Sequence, residues 1–251
     1  MRRTAIITGA AGGMGAATAN RLIADGYQVA LADVSEMRVQ DLSAQLGTDA
    51  LPLHMDVTDE QSVASAFADA EASLGTVTDL ICTAGGSLAT KSYQPTLTDL
   101  PLDDWIRTEA LNSRGSFLCV REFFRLRRSN PVENGRVVLT ASQAAHGAAV
   151  GGVGAAYFAS KAAVISICRL AALEGAPFGI TVNVISPGGF ETDAFHVATT
   201  EDKAKKQVAS IPLGRLGRPR EFADLAAFLL SEEAGYITGA TLDLNGGSRM
   251  A

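Results

Sequence analysis

Several short runs in this chain are apolar at consecutive positions and have no polar face. Ala5-Ile6-Ile7 and Val137-Val138-Leu139 are the plainest cases. Successive side chains of a strand point to opposite faces, so such a run is stable only where both faces are covered. That points to a parallel sheet sandwiched between helices. Strand candidates at 4–8, 28–32, 51–55, 80–83, 136–140, 181–185 and 241–244 alternate with helix candidates near 13–25, 35–46, 59–74, 103–128, 156–175 and 219–231. The alternation predicts an α/β fold with a doubly wound, Rossmann-like parallel sheet of about seven strands. No linker, repeat or low-complexity tract interrupts it, so 1–251 reads as a single domain. The least regular stretch is 187–218, rich in Gly and Pro. In an open α/β sheet the segments after strand C-termini form the ligand crevice, which makes this stretch a candidate substrate lid.

The first βα turn carries the clearest chemical signal. Thr8-Gly9-Ala10-Ala11-Gly12-Gly13-Met14-Gly15 follows the first strand and opens the first helix. Glycines permit the tight turn and let main-chain N–H groups approach a pyrophosphate at the positive end of the helix. Gly9, Gly13, Met14 and Gly15 are therefore candidate cofactor-binding residues. Asp33 ends the second strand, placed to accept hydrogen bonds from the adenine-side ribose. A carboxylate there disfavours a 2′-phosphate. The glycine loop holds no Arg or Lys, and none follows Asp33 until Arg38. NAD(H) is expected rather than NADP(H). The competing reading makes Asp33 only a cap for the next helix.

Composition excludes other classes. The formal net charge is −6, which gives no general attraction to nucleic acid or to an anionic membrane. Arg121, Arg125, Arg127 and Arg128 cluster at helical spacing and read as a solvated helix end. Cys82, Cys119 and Cys168 form no CxxC pair; this suits a reducing, cytoplasmic setting and argues against disulfides. No carboxylate–histidine cluster suggests a metal site. The run after Met1-Arg2-Arg3 dissolves into glycines and does not make a signal peptide, and no stretch reads as a membrane span.

Tyr157-Phe158-Ala159-Ser160-Lys161 lies in a helical pattern. Residues four apart share a helix face, about 6 Å apart along the axis. An ammonium beside a phenol favours the phenolate, which brings it toward working pH. Ser142 follows the preceding strand at its C-terminal edge, where ligands bind.

With these motifs in order, the chain resembles the short-chain dehydrogenase/reductase family over essentially its whole length. The resemblance is carried by Thr8-Gly9-x-x-x-Gly13-x-Gly15, Asp56-Val57, Ala84-Gly85, Asn112, Ser142, Tyr157 with Lys161, Pro187-Gly188 and Thr192. Tyr236-Ile237-Thr238-Gly239 and Asn245-Gly246-Gly247 complete it. It implies a catalytic set of Asn112, Ser142, Tyr157 and Lys161. Tyr157 is the general acid/base, and Lys161 bonds the nicotinamide ribose and supports the phenolate. Ser142 positions the substrate oxygen, and Asn112 holds a water in the proton relay. It also implies that Asp56 and Val57 contact the adenine, that Ala84, Gly85, Pro187 and Gly188 line the cofactor, and that Thr192 touches the carboxamide end. The expected activity is hydride exchange between NAD(H) and a secondary alcohol or ketone.

Two departures from the family pattern stand out. Cys82-Thr83 replaces the common Asn-Asn, which puts the hydrogen bonding at that strand end in doubt. The stretch from Ser142 to Tyr157 is longer than the family's by about two residues and is nearly all small, so it serves either as a wide pocket wall or as a simple flexible loop. Candidate substrate contacts are Ala144, Val153, Phe190, Phe195 and His196. His146 reads as a solvent-facing loop residue and His54 as structural. Two alternatives compete. One is a carrier-protein-linked 3-oxoacyl reductase using NADPH; the other is a dinucleotide-binding sensor without turnover. Helices near 103–128 and 156–175 carry apolar residues beyond one stripe, including Phe117, Phe123, Phe124, Val164, Ile165 and Ile167. With the family's habit of pairing these helices, that predicts a homo-oligomer, a tetramer of D₂ symmetry.

Overall fold

The computed structural model describes residues 2–87, 97–147 and 154–250. Its strands are β1 (Thr4–Thr8), β2 (Gln28–Asp33), β3 (Ala50–His54), β4 (Asp79–Cys82), β5 (Arg136–Thr140), β6 (Thr181–Pro187) and β7 (Thr241–Leu244). They form one seven-stranded sheet in the order β3-β2-β1-β4-β5-β6-β7. Every pairing is parallel. The helices are α1 (Gly13–Ala24), α2 (Glu36–Leu46), α3 (Glu60–Leu74), α4 (Leu102–Glu109), α5 (Gly115–Ser129), α6 (Ala155–Gly175), α7 (Asp193–Ala198), α8 (Glu201–Ala209) and α9 (Pro219–Leu230). This is the expected doubly wound α/β fold in a single domain.

The apolar runs behave as their pattern requires. Ile6, Val137 and Leu139 face a core built with α3, α5 and α6. Ile7 and Val138 face a second core built with α1, α2 and α9. Side chains of this size each stabilise the fold by ~1.5–3 kcal/mol when fully buried. Strand order reverses between β1, which leads toward β2 and β3, and β4, which leads toward β5. The crevice at that switch point is where a doubly wound sheet takes its ligand.

Several local readings change. The stretch 187–218 is not simply a loop: it contains α7 and α8. Thr192 and Thr200 cap these helices by accepting from the main-chain N–H groups of Phe195 and Lys203, a local signal masked by the surrounding Gly and Pro. The helix expected over 103–128 runs from α4 into α5 through a π-helical turn at Ala110–Arg114, the site of Asn112. Ala155–Phe178 is long and apolar enough by composition to cross a membrane, contrary to the sequence reading. Here it packs on the sheet, with Val164, Ile165, Cys168 and Ala172 in the core.

Arg127 is not part of a solvated helix end. It is 1% exposed and donates to Val77 O and Glu71 Oε1. Arg125 and Arg128 do lie outside, paired with Glu122 and Glu174, whereas Arg121 is half-buried and pairs with Glu60. The apolar excess on the long helices is also mostly internal. Phe123, Phe124, Val164 and Ile165 are buried, and Ile167 packs against them. Phe117 remains exposed, with Leu102 and Ile106 on α4, Leu170 and Leu173 on α6, and Phe178 beyond it.

The end of the sheet opposite the crevice is tied by a buried ion pair. Asp79 has no solvent exposure and accepts from Arg3 Nε at 2.9 Å, Arg3 Nη2 at 2.5 Å and Thr78 Oγ1 at 2.7 Å. Burial pushes the Asp79 carboxyl above its ordinary range despite these bonds, whereas Arg3 stays charged beside it. The desolvation cost therefore exceeds the gain from pairing, and removing the cation leaves that cost uncompensated. Arg3 is a quarter exposed, so Arg3→Ala is expected to cost about 2–4 kcal/mol of unfolding free energy. Denaturant unfolding measures it, and a loss below about 0.5 kcal/mol, as for a surface pair, refutes the account.

Candidate active site

The site begins where β1 and β4 end. Gly9 has φ +65°, and a Cβ there would lie 2.6 Å from Ala84 N. Only glycine satisfies both the backbone conformation and the contact. A Cβ on Gly15 would fall 2.4 Å from Gly9 O and 2.9 Å from Thr83 Oγ1, so α1 starts hard against both loops. Gly12 is the N-cap of α1, and no side chain caps that first turn. The main-chain donors of Gly13, Met14 and Gly15 are thus left for an anionic group. This glycine cradle and open helix end fit a dinucleotide pyrophosphate. Thr192 closes over the same turn, its methyl 3.0 Å from where a Gly13 Cβ would stand.

Thr83 resolves the doubt raised at Cys82-Thr83. Its hydroxyl donates to Thr8 O at 2.6 Å, and the Thr8 hydroxyl accepts from Ala84 N at 3.2 Å. Two hydroxyls thus join the strand ends that an amide was expected to join. Asp33 sits at the other side of the loop. Its Oδ2 accepts from Ala11 N at 3.1 Å and its Oδ1 from Ser35 N at 3.0 Å. It therefore does serve the turn before α2. Each oxygen still has a second lone pair to offer a hydroxyl.

Four of the expected site residues converge at Gly85, Asn112, Lys161 and Tyr157. A Cβ on Gly85 would lie 2.7 Å from Asn112 Oδ1 and 2.8 Å from Lys161 Nζ, so the absent side chain is what lets these groups meet. The Asn112 amide donates to Gly86 O and Thr108 O at 2.9 Å and accepts from Gly86 N at 3.0 Å. The amide thus clamps the β4 exit loop to the π-helical turn. The main-chain carbonyl of Asn112 accepts from Ser116 Oγ. Lys161 is buried, donates to Thr140 O at 2.8 Å and stands 5.8 Å from the Tyr157 ring centroid. Burial lowers its pKa to about 8. Ser142 caps a 3₁₀ turn at Gln143–His146 by accepting from Ala144 N at 3.2 Å, and its hydroxyl acts to lower the Tyr157 phenol pKa.

The expected depression of the Tyr157 phenol by Lys161 does not hold here. Burial pushes the phenol upward, and the Ser142 hydroxyl is what opposes the rise. Spacing put Tyr157 and Lys161 on one face, but the ammonium turns to Thr140 O instead of the phenol oxygen.

Other expected residues fall differently. Asp56 Oδ1 accepts from both the N–H and the hydroxyl of Thr58, and the Val57 side chain is buried against Gly115. Pro187 ends β6, and a Cβ on Gly188 would lie 3.2 Å from Gln143 Oε1. Phe190 is not free to meet a substrate: it is buried in the α1–α9 core, with its ring filling the space over Gly217. Ala144 is buried in the 3₁₀ turn. Phe195 and His196 do lie on α7, their rings edge to face at 5.7 Å, with His196 exposed. Val153 lies outside the described residues. His146 is not solvent-facing: its Nε2 is buried, 3.9 Å from Asp243 Oδ1. Burial, then Arg249, lowers its pKa. His54 is exposed at the end of β3. Three contributors were not read as site residues from the sequence: Gly86, the Thr140 carbonyl and Arg38, which donates to Ala11 O in the glycine loop. Main-chain groups leave no sequence signal, and Arg38 had only its place after Asp33.

The sequence profile described as Enoyl-(Acyl carrier protein) reductase matches residues 9–249. The 3-oxoacyl-[acyl-carrier-protein] reductase FabG of Salmonella typhimurium is 35% identical over 99% of this chain and 98% of its own length. An NAD-dependent glycerol dehydrogenase of Listeria innocua is 35% identical over 98% of this chain and 93% of its own. Among solved structures, the 3-ketoacyl-(acyl-carrier-protein) reductase from Brucella melitensis, complexed with NADH, superposes with a TM-score of 0.88 at 28% identity, covering 99% of this chain and 98% of that one. The chain belongs to the short-chain dehydrogenase/reductase family and is an oxidoreductase. Enzymes of this family bind a nicotinamide dinucleotide and act on small molecules.

The buried ammonium makes a direct prediction. In the cofactor-free protein, one lysine is expected to titrate near pH 8, read by NMR of labelled lysine side chains and lost in Lys161→Met. Burial disfavours the charged form, so its cost is complete below pH 8 and fades as pH rises toward the unfolded value of 10.5. The stability of the parent protein relative to Lys161→Met is therefore expected to improve between those limits. A flat difference across that window refutes the assignment.

Proposed function

We propose that this enzyme exchanges hydride between NAD(H) and a secondary alcohol or ketone, with Tyr157 as general acid/base. The carrying observation is the placing of Tyr157 beside the buried Lys161, 5.8 Å from ammonium to ring centroid, at the Gly85–Asn112 junction. A bound nicotinamide dinucleotide supplies the hydride acceptor or donor. The protein's part is to bind, orient and move the proton. Gly9, Gly13, Met14 and Gly15 cradle the pyrophosphate, while Asp56, Val57, Ala84, Gly85, Pro187, Gly188 and Thr192 line the remainder. Ser142 Oγ orients the substrate oxygen toward the Tyr157 hydroxyl. Tyr157 gives its proton to a ketone oxygen in reduction and takes one from an alcohol in oxidation. Lys161, its ammonium 5.8 Å from the Tyr157 ring centroid, bonds the nicotinamide ribose.

Asp33 supports NAD(H), because its carboxylate accepts from the Ala11 N–H of the glycine loop at 3.1 Å. The relative named as an NAD-dependent glycerol dehydrogenase agrees with this reading. A second reading, reduction of a 3-oxoacyl group on a carrier protein, is favoured by the similarity to FabG. Turnover of 3-oxoacyl thioesters against simple ketones separates the two. The exposed apolar residues of α4, α5 and α6 support assembly as a homo-oligomer, for which we favour a tetramer. Light scattering at micromolar concentration is expected to exceed the monomer mass of 26.1 kDa, and a monomer refutes it.

Tyr157→Phe keeps the ring and removes the ionisable hydroxyl. Turnover is expected to fall at least ~100-fold with cofactor affinity largely retained. Steady-state kinetics with cofactor titration checks both, and near-normal turnover sinks the assignment. Catalytic efficiency is expected to favour NAD(H) over NADP(H) at least tenfold, since ~1.4 kcal/mol of repulsion suffices. Equal efficiency with the two cofactors would mean that Asp33 serves only the turn.

A further inference from the structure

The 3₁₀ turn at Gln143–His146 has Ser142 at its head and His146 at its last position. His146 has no part in the proposed proton transfer, yet its Nε2 is buried and makes no hydrogen bond among the described residues. That atom lies 3.9 Å from Asp243 Oδ1 on β7. The gap is about 1 Å longer than a charge-assisted hydrogen bond. Asp243 Oδ2 is already taken by Arg249 Nη1 at 2.5 Å. Arg249 is held in turn, because its carbonyl accepts from Asn245 Nδ2 at 3.1 Å. Gln143 Oε1, on the same turn, is also buried without a donor, 3.2 Å from where a Gly188 Cβ would stand. The polar atoms that the turn sends toward the ends of β6 and β7 are therefore unpaired. A neutral ring at 3.9 Å gains little from Asp243, whereas an imidazolium gains a charge-assisted bond.

We infer that His146 is a positioning residue for Ser142: protonation of its ring draws the 3₁₀ turn onto Asp243 and pulls Ser142 out of place, so that acid switches the site off. The inference rests on the reading of Ser142 as the group that orients the substrate oxygen. Among the described residues, the charged groups facing the ring are Arg249 after β7, Asp243 on β7 and Arg169 on α6. Across β6, Ser186 stands in register with Asp243 and carries no charge. Burial and Arg249 hold the ring neutral to below the ordinary imidazole value of 6.5; Asp243 pulls the other way and Arg169 adds to the repulsion. The ring is therefore neutral at pH 7 and takes its proton as pH falls below 6.5. The imidazolium then competes with Arg249 for Asp243 and closes the gap. Ser142 and His146 are the two ends of one hydrogen-bonded turn, in which Ala145 N donates to Ser142 O at 2.9 Å and Ala144 N to Ser142 Oγ at 3.2 Å. A shift at one end is passed to the other. Misplacing a positioning group by ~1 Å can cost about 100-fold in rate.

Gln143-Ala144 is the single Gln-Ala step in the sequence. Labelling glutamine carbonyl carbon and alanine nitrogen therefore isolates by NMR the Ala144 amide, the donor to Ser142 Oγ. In the cofactor-free protein this resonance is expected to shift with a midpoint below pH 6.5, shared with the ring signal that His146→Gln removes. In His146→Gln it is expected to stay fixed. Arg249→Met is expected to raise the midpoint, by removing a repelling cation, and Asp243→Asn to lower it. Initial rates of ethyl acetoacetate reduction by NADH are expected to fall about tenfold or more through the same midpoint in the parent, and less than about twofold in His146→Gln. Lys161, near pH 8, titrates outside this window. If the Ala144 resonance ignores the ring titration, the turn does not move and the inference falls. If it follows, but the parent and His146→Gln rate profiles coincide, Ser142 stays in place and the inference falls as well. Should His146→Gln fail to fold, Arg249→Met and Asp243→Asn decide, and a midpoint that neither moves overturns the inference. If Ser142→Ala turns over the ester as fast as the parent, the reading of Ser142 has failed, and this proposal fails with it whatever Ala144 shows.

Discussion

The loops leaving β1 and β4 pass each other closer than any side chain permits. Gly9 stands against Ala84, and Gly15 against Gly9 O and Thr83. With no Cβ at these points, the two halves of the sheet can open their crevice at the strand reversal and still keep its floor solid. The hydroxyls of Thr8 and Thr83 tie the strand ends across that floor. Asn112 then pins the β4 exit loop to a helix that must loosen into a π turn to present its amide. The candidate site's side chains are positioned by this backbone contact, because Gly85 is what allows Lys161 and Asn112 to meet.

Burial of charge serves two opposite ends of the sheet. At one end, Asp79 with Arg3 closes the strand starts, and Arg127 ties α5 to the turn before β4. These charges face ionic partners and hydrogen bonds that offset part of their desolvation and tie the elements together. At the other end, Lys161 is buried with a main-chain carbonyl as its hydrogen-bond acceptor. Its ammonium is therefore held at a cost in stability.

How much of this was legible depends on the kind of signal. The strands were readable because residues such as Ile6 and Ile7 admit no solvated face. The pairing of Tyr157 with Lys161 was readable because helix period alone puts them together. Phe190 was misplaced because an aromatic in a Gly-rich loop looks exposed until Gly217 is seen to make room beneath it. Arg127 was misread for a similar reason: helical spacing does not reveal Glu71 and the Val77 carbonyl waiting across the packing interface.

Sequence alone determined the order of elements, the two-sided burial of the strands, the glycine turn and the placing of Tyr157 and Lys161 one helical turn apart. These follow from local sterics and from periods of two and 3.6 residues, which need no knowledge of distant neighbours. The tertiary structure decided which partner each polar group takes. It sent the Lys161 ammonium to Thr140 O, raised the Tyr157 phenol and left Ser142 to oppose that rise. It also set Asp33 and Arg38 on opposite ends of one residue. Electrostatics in a protein depends on distance and on solvent exclusion, and both are set only once elements remote in sequence have packed.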